Sequence, residues 1–148
     1  MTRRRGRSGI ALAVGLIAAG MLSAAPATAA ELIVEVTGLS SDAGKVRFGL
    51  YDDPAAFPED EGRIDGTRVK IKDRRAIAVF KGLRPGRYAV AVYHDENDNG
   101  EFDQALFGIP LEDFGFSNDA TVFLGPPSFD EAQVSVPEEG ARITIHIN

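Results

Sequence analysis

Apolar side chains recur at every second position in one short run after another, the period that a pleated strand with one buried face requires. "ELIVEVTGL" places Leu32, Val34 and Val36 on one face, and "GKVRFGLYD" places Val46, Phe48 and Leu50 on one face, with the turn "SSDAG" between them. In "TRVKIK", Val69 and Ile71 turn inward while Arg68, Lys70 and Lys72 turn outward. "RRAIAVF" follows after Asp73, which predicts a hairpin. The turn "KGLRPG" feeds "RYAVAVYH", where Tyr88, Val90 and Val92 share one face. Ala89 and Ala91 share the other, and such small residues imply that something packs closely over them. "ATVFLG" and "EAQVSV" read as further short strands, and "ARITIHIN" closes with Ile143, Ile145 and Ile147 inward.

"DDPAAFPEDEGRIDG" reads as a loop with one helical turn in "PAAF". Residues 95–118 show no clean period, and a connection of that length in a compact domain usually has a function or a ligand to order it. The expected fold class is all-β: a single Greek-key β-sandwich of seven or eight strands with a long ordered loop at one end.

The first 30 residues are expected to stand outside that domain. "MTRRRGRSG" is a positive n-region, "IALAVGLIAAGML" an apolar h-region, and "ATAA" a small-residue cleavage site, so 1–30 reads as a signal peptide and 31–148 as the domain. Cleavage after Ala29 or after Ala30 fits, and the expected location is periplasmic or secreted. The apolar run is shorter than a membrane-spanning helix needs, so the mature protein is expected to carry no transmembrane segment. The chain has no cysteine, so no disulfide braces it in an oxidising compartment.

Removing Arg3, Arg4, Arg5 and Arg7 takes the formal charge from −6 to −10, which argues against nucleic acid as a partner. Charge is also uneven along the chain. Residues 63–87 hold nine basic residues against Asp65 and Asp73, whereas 88–141 hold twelve acids and no lysine or arginine. Carboxylates crowded without a counter-charge repel one another, and a bound cation would supply the missing charge.

"DENDNGEFD" fits the calcium-loop template, in which alternate residues converge on one ion and a glycine makes the sharp turn. Asp95, Asn97, Asn99 and Asp103 take side-chain ligand positions, Glu101 offers its main-chain carbonyl, and Gly100 stands at the turn. Leu106 replaces the bidentate glutamate, which leaves the remaining coordination to Glu112, to Asp113 or to water. The expected affinity is therefore weak, about 0.1–1 mM, as in extracellular modules. The competing reading is a plain turn made by Asn97, Asp98, Asn99 and Gly100.

"FGIPLEDFGFSND" gathers Phe107, Phe114 and Phe116, either as an aromatic cluster closing one end of the sandwich or as a binding patch for a sugar or peptide. His94 and His146 read as packing or solvent-facing residues. No nucleophile-elbow pattern surrounds Ser117 or Ser128. The basic stretch Arg68, Lys70, Lys72, Arg74 and Arg75 reads as a solvated sheet face.

"FKGLRPGRYAVAVYHDENDNGEFDQALFGIPLEDFGFSNDA", with "LIVEVTGLSSDAGKVRFGLYD" and "PSFDEAQVSV", resembles the exported bacterial family of domain of unknown function 2141. More distantly, Phe80, Gly82, Leu83, Pro85, Gly86, Tyr88 and Val90 form a pattern similar to transthyretin-like and carboxypeptidase-regulatory-like domains, which implies a prealbumin-like sandwich and an accessory or binding module. The expected function is an exported, non-catalytic module with a structural calcium loop, acting in binding of a protein or glycan or in envelope association. Two alternatives stand beside it: a hydrolase or lyase with a cleft at the acidic and aromatic end, and a structural subunit assembling through oppositely charged faces.

Overall fold

The computed structural model of the protein describes residues 29–147. The expected signal peptide, apart from Ala29 and Ala30, lies outside the described residues. The described residues form eight strands: β1 (Ala30–Thr37), β2 (Lys45–Tyr51), β3 (Asp65–Lys70), β4 (Ala76–Leu83), β5 (Gly86–Asp95), β6 (Phe114–Phe116), β7 (Val134–Val136) and β8 (Ala141–His146). They form two sheets, as an all-β sandwich requires. One has the order β4-β1-β8, with β1 antiparallel to β4 and parallel to β8. The other has the order β3-β2-β5-β6, and β7 pairs with the start of β5.

The period of two explains which face each strand buries. Leu32, Val34 and Val36 of β1 meet Val46, Phe48 and Leu50 of β2 and Val90 and Val92 of β5 across the sandwich, within one apolar cluster that also holds Phe80, Ile145 and Ile147. Burial of a side chain of this size stabilises by about 1.5–3 kcal/mol before the entropy of ordering is counted.

The predicted hairpin between "TRVKIK" and "RRAIAVF" is corrected in part. Lys72 and Arg75 do exchange a pair of main-chain hydrogen bonds around Asp73 and Arg74. The strands then separate, β3 into the five-stranded sheet and β4 into the three-stranded one. Alternation cannot distinguish these outcomes, because Val69 and Ile71 face the shared core equally well from either sheet. The strand that does pair with β3 is β2, in the register Lys45↔Lys70 to Leu50↔Asp65.

"ATVFLG" forms no strand. It lies between β6 and β7 in the chain, and those two already fill the edge of β5 at Ala91–Tyr93 and Gly86–Tyr88. In "EAQVSV" only Val134–Val136 is extended, because Ser128 and Glu131 make a capping box that starts a turn of helix over Phe129–Ala132.

A second core covers the outer face of the five-stranded sheet. Ala89 is fully buried there with Tyr51, Phe57, Phe116, Phe129 and Ala132, and Ala91 packs against the same cluster. The small outer-face residues of β5 thus admit a layer of aromatic rings, as their size implied.

Candidate functional site

β5 runs straight into the acidic loop. Its last residue, Asp95, is fully buried, with Oδ2 accepting from Arg47 Nε at 2.8 Å and from the Gly100 N–H at 3.0 Å. Its Oδ1 accepts from the Asn99 N–H at 3.0 Å. Burial alone would raise this carboxyl, but the Arg47 bond and the two main-chain donors outweigh it and hold the pKa below the usual range. Asp95 therefore folds the loop back on itself. Gly100 sits at φ 89°, a conformation that favours glycine, and a Cβ there would stand 2.7 Å from Arg47 Nη2 and push that guanidinium aside.

The counter-charge inferred as missing comes partly from β2. Arg47 pairs with Asp95, and Lys45 Nζ lies 2.6 Å from Asp98 Oδ2. Both basic residues are distant in sequence from the acids. Only the β2–β5 register, with Lys45 opposite Asp95 and Arg47 opposite Tyr93, brings them together.

The remaining predicted ligands divide into two groups. Asp103 is the centre of the first: Asn97 Nδ2 donates to Asp103 Oδ2 at 2.7 Å, and Asn99 Nδ2 donates to both carboxylate oxygens at 3.0 Å. The Asn97 and Asn99 side-chain oxygens accept from the Asn99 and Glu101 N–H groups respectively. Glu112 joins this group, with Oε2 accepting from the Asp103 N–H at 3.1 Å. Its Oε1 is buried with no hydrogen-bond partner. Burial pushes the Glu112 carboxyl up, with the Asp103 and Asp95 charges adding to it; the bond from the Asp103 N–H, and the nearby Glu96 N–H outside ordinary hydrogen-bond geometry, only partly offset this.

The second group stands aside. Glu101 has an exposed side chain, and Asp113 contributes its main-chain oxygen to the His94 N–H at 2.8 Å. Among the described residues no three His, Cys, Asp or Glu side chains gather closely enough to hold a metal by themselves. A cation here needs asparagine, main-chain or water oxygens as well as Asp103 and Glu112.

His94 is a packed residue, 2% exposed, with Nε2 donating to the Ala43 carbonyl oxygen at 2.8 Å. His146 faces outward as alternation implied, and its Nδ1 bonds Asp119 Oδ2 at 2.7 Å, a pairing that the spacing of 27 residues concealed. Ser117 is buried; its hydroxyl accepts from the Val90 N–H and donates to the Ala132 carbonyl. Arg68, Lys70, Lys72, Arg74 and Arg75 are all exposed.

The three residues of the aromatic patch differ in exposure. Phe116 is buried in the outer core and Phe114 is half-buried, whereas Phe107 is 99% exposed. A chain of edge and tilted ring contacts runs Tyr93–Phe102–Phe114–Phe116–Phe57, with centroids 5.3–6.0 Å apart. Beside it lies a cleft of about 690 Å³, lined among others by Gly49, Ala91, Tyr93, Phe102, Phe114 and Arg47. That volume falls within the range of small-molecule sites. Burial pushes the Tyr51 phenol up to about 12 and raises Tyr93 as well, so both remain hydrogen-bond donors at neutral pH. Tyr51 and Phe102 also line the cleft and carry no motif in the sequence; Tyr51 ends β2 opposite the small outer-face residue Ala89, whereas Phe102 reaches the cleft from the acidic loop.

Comparison with known proteins gives no match among curated proteins and none among solved structures. A family profile does match, over residues 34–144, and its description is an uncharacterized protein conserved in bacteria. The chain therefore belongs to the DUF2141 family.

Proposed function

We propose that this protein is an exported, non-catalytic β-sandwich module whose 95–113 loop holds a calcium ion of structural role, and that it acts in the periplasm or outside the cell by binding a protein or glycan or by associating with the envelope. The observation that carries the reading is Glu112 Oε1, a buried carboxylate oxygen without a partner next to Asp103. A buried charged oxygen left unsatisfied is costly, and a hard cation is the natural partner for it. Asp103, Glu112, Asn97 and Asn99 would hold the ion, with the Glu101 main-chain oxygen or water completing the shell. The asparagine amide hydrogens that now face Asp103 would give way to it. Bound calcium would neutralise the loop and tie 95–103 to 112, which fixes the long connection between β5 and β6.

The export part rests on the n-region, h-region and small-residue pattern before the domain. Of the two cleavage positions, the bond after Ala29 suits the fold better, because Ala30 is buried and pairs with Leu83 in β1.

Thermal unfolding after chelation tests the calcium part. At a tenfold excess over the dissociation constant, calcium should stabilise by about 1.4 kcal/mol. That should raise the midpoint by several degrees, whereas magnesium should do less. A midpoint indifferent to millimolar calcium contradicts the reading.

A further inference from the structure

Two loops border the aromatic cleft, one contributing Gly108 and Pro110 and the other Val122, Gly125 and Pro126. Their tips are apolar and almost wholly in water: Phe107 is 99% exposed, Leu124 96%, Phe123 83% and Leu106 81%, with Leu111 and Ile109 also above half. Single exposed apolar residues are ordinary on a protein surface, but a cluster of this kind marks an interaction site. Phe107 and Leu124 are moreover held in the left-handed region, at φ 66° and 55°. Bulky residues avoid that conformation, and here it keeps both side chains outward.

We propose that these two tips form a lipid-inserting surface that seats the protein on a bilayer face of zwitterionic head groups. The proposal deepens the envelope-association part of the function above and rests on it for the presence of a membrane, but it does not need calcium. Three observations favour lipid over a protein partner. Residues 104–111 and 120–129 contain no charged residue. The main chain of the first tip is closed on itself, with Ala105 N–H donating to the Ile109 carbonyl, Gly108 N–H to Ala105 and Leu111 N–H to Asp103. Pro110, Pro126 and Pro127 remove further donors. A protein interface is knit by about one hydrogen bond per 100–200 Å², whereas entry into the acyl boundary demands that polar main-chain groups already be satisfied. The first tip meets the second requirement, and the uncharged second tip offers little to the first.

The absence of lysine and arginine from 88–141 sets the lipid preference. Basic residues attract anionic lipids, so this surface gains nothing from them, and its binding should be driven by apolar burial and be insensitive to salt.

Sedimentation with phosphatidylcholine vesicles, using the protein as isolated from the exporting cell, tests the proposal. The protein should pellet with vesicles at millimolar lipid, equally at high salt and with chelator present. Phe107→Asp and Leu124→Asp should each lower the partition coefficient by about tenfold or more, the double variant further still. Both side chains point into water and aspartate tolerates the left-handed region, so the melting temperature should hold. A wild-type protein that stays in the supernatant, or a double variant that pellets equally, overturns the proposal. So does a self-association, seen by sedimentation velocity, that the double variant abolishes, since a second copy would then cover the tips. Vesicle binding that survives while the calcium response is absent overturns only the calcium reading, and the reverse result overturns only this one.

Discussion

Asp95 and Asp103 are eight positions apart in the same acidic run and do different work. Asp95 is sealed beneath the loop, bonded to Arg47 and to the Asn99 and Gly100 amides. Asp95→Ala would leave the partly buried Arg47 guanidinium and two amides without an acceptor, and should destabilise by about 3–5 kcal/mol with or without calcium. Asp103→Ala removes side-chain bonds from Asn97 and Asn99 in a more open setting, so it should cost about 1 kcal/mol in chelator and remove any calcium response. Chemical denaturation of both variants in each condition separates the two roles; equal losses would mean that the loop has no distinct ion-facing side. A further carboxylate contributes to the acid limb beside Asp95. Burial would raise Asp119, but the His146 main-chain N–H and ring outweigh it and hold the pKa below the ordinary value. A depressed carboxyl pKa contributes stability above the unfolded value near 3.9, and that contribution disappears as pH falls through the folded value. Asp119→Asn should therefore flatten the decline of melting temperature below about pH 4. An unchanged acid limb would show that the pair adds nothing.

At the scale of elements, the alternating runs around β1, β2, β4, β5 and β8 were readable because each has one buried face. Sheet membership was not, since β3 and β4 look into the same core from opposite sides. The tight turn between them carries Asp73 and Arg74 at φ 53° and 56°, with Asp42 accepting from both N–H groups. Two positive-φ residues in succession make a primed turn, which favours glycine at the second position. Arg74→Gly keeps the N–H and relieves the left-handed conformation, so it should raise stability by about 1 kcal/mol. Thermal melts decide this, and a lower midpoint would mean that the exposed Arg74 side chain contributes more than its conformation costs. The 120–125 segment shows the opposite limit of reading runs of β-formers. Its residues favour a strand, but β6 and β7 occupy the adjacent edge of β5, and the freed side chains become the exposed apolar tip.

At the scale of the whole molecule, β5 organises both halves. Its inner face carries Tyr88, Val90 and Val92 into the core between the sheets, its outer face accepts the aromatic layer, and its end becomes the acidic loop. The candidate loop was readable from its own spacing, since Asp95, Asn97, Asn99, Glu101 and Asp103 stand at alternate positions with Gly100 among them. Its context was not: Arg47 and Lys45 arrive from β2, and Glu112 approaches from the far side of an apolar hairpin. The resulting arrangement places the Asp103 and Glu112 carboxylates at the base of a connection whose tips are apolar. The most direct test of the central claim is a calorimetric titration of calcium into chelator-stripped protein, alongside Asp103→Ala and Glu112→Gln. The wild type should show one site with a dissociation constant of about 0.1–1 mM, lost in both variants. No binding heat in the wild type by differential titration up to several millimolar, or binding that survives both substitutions, would contradict it.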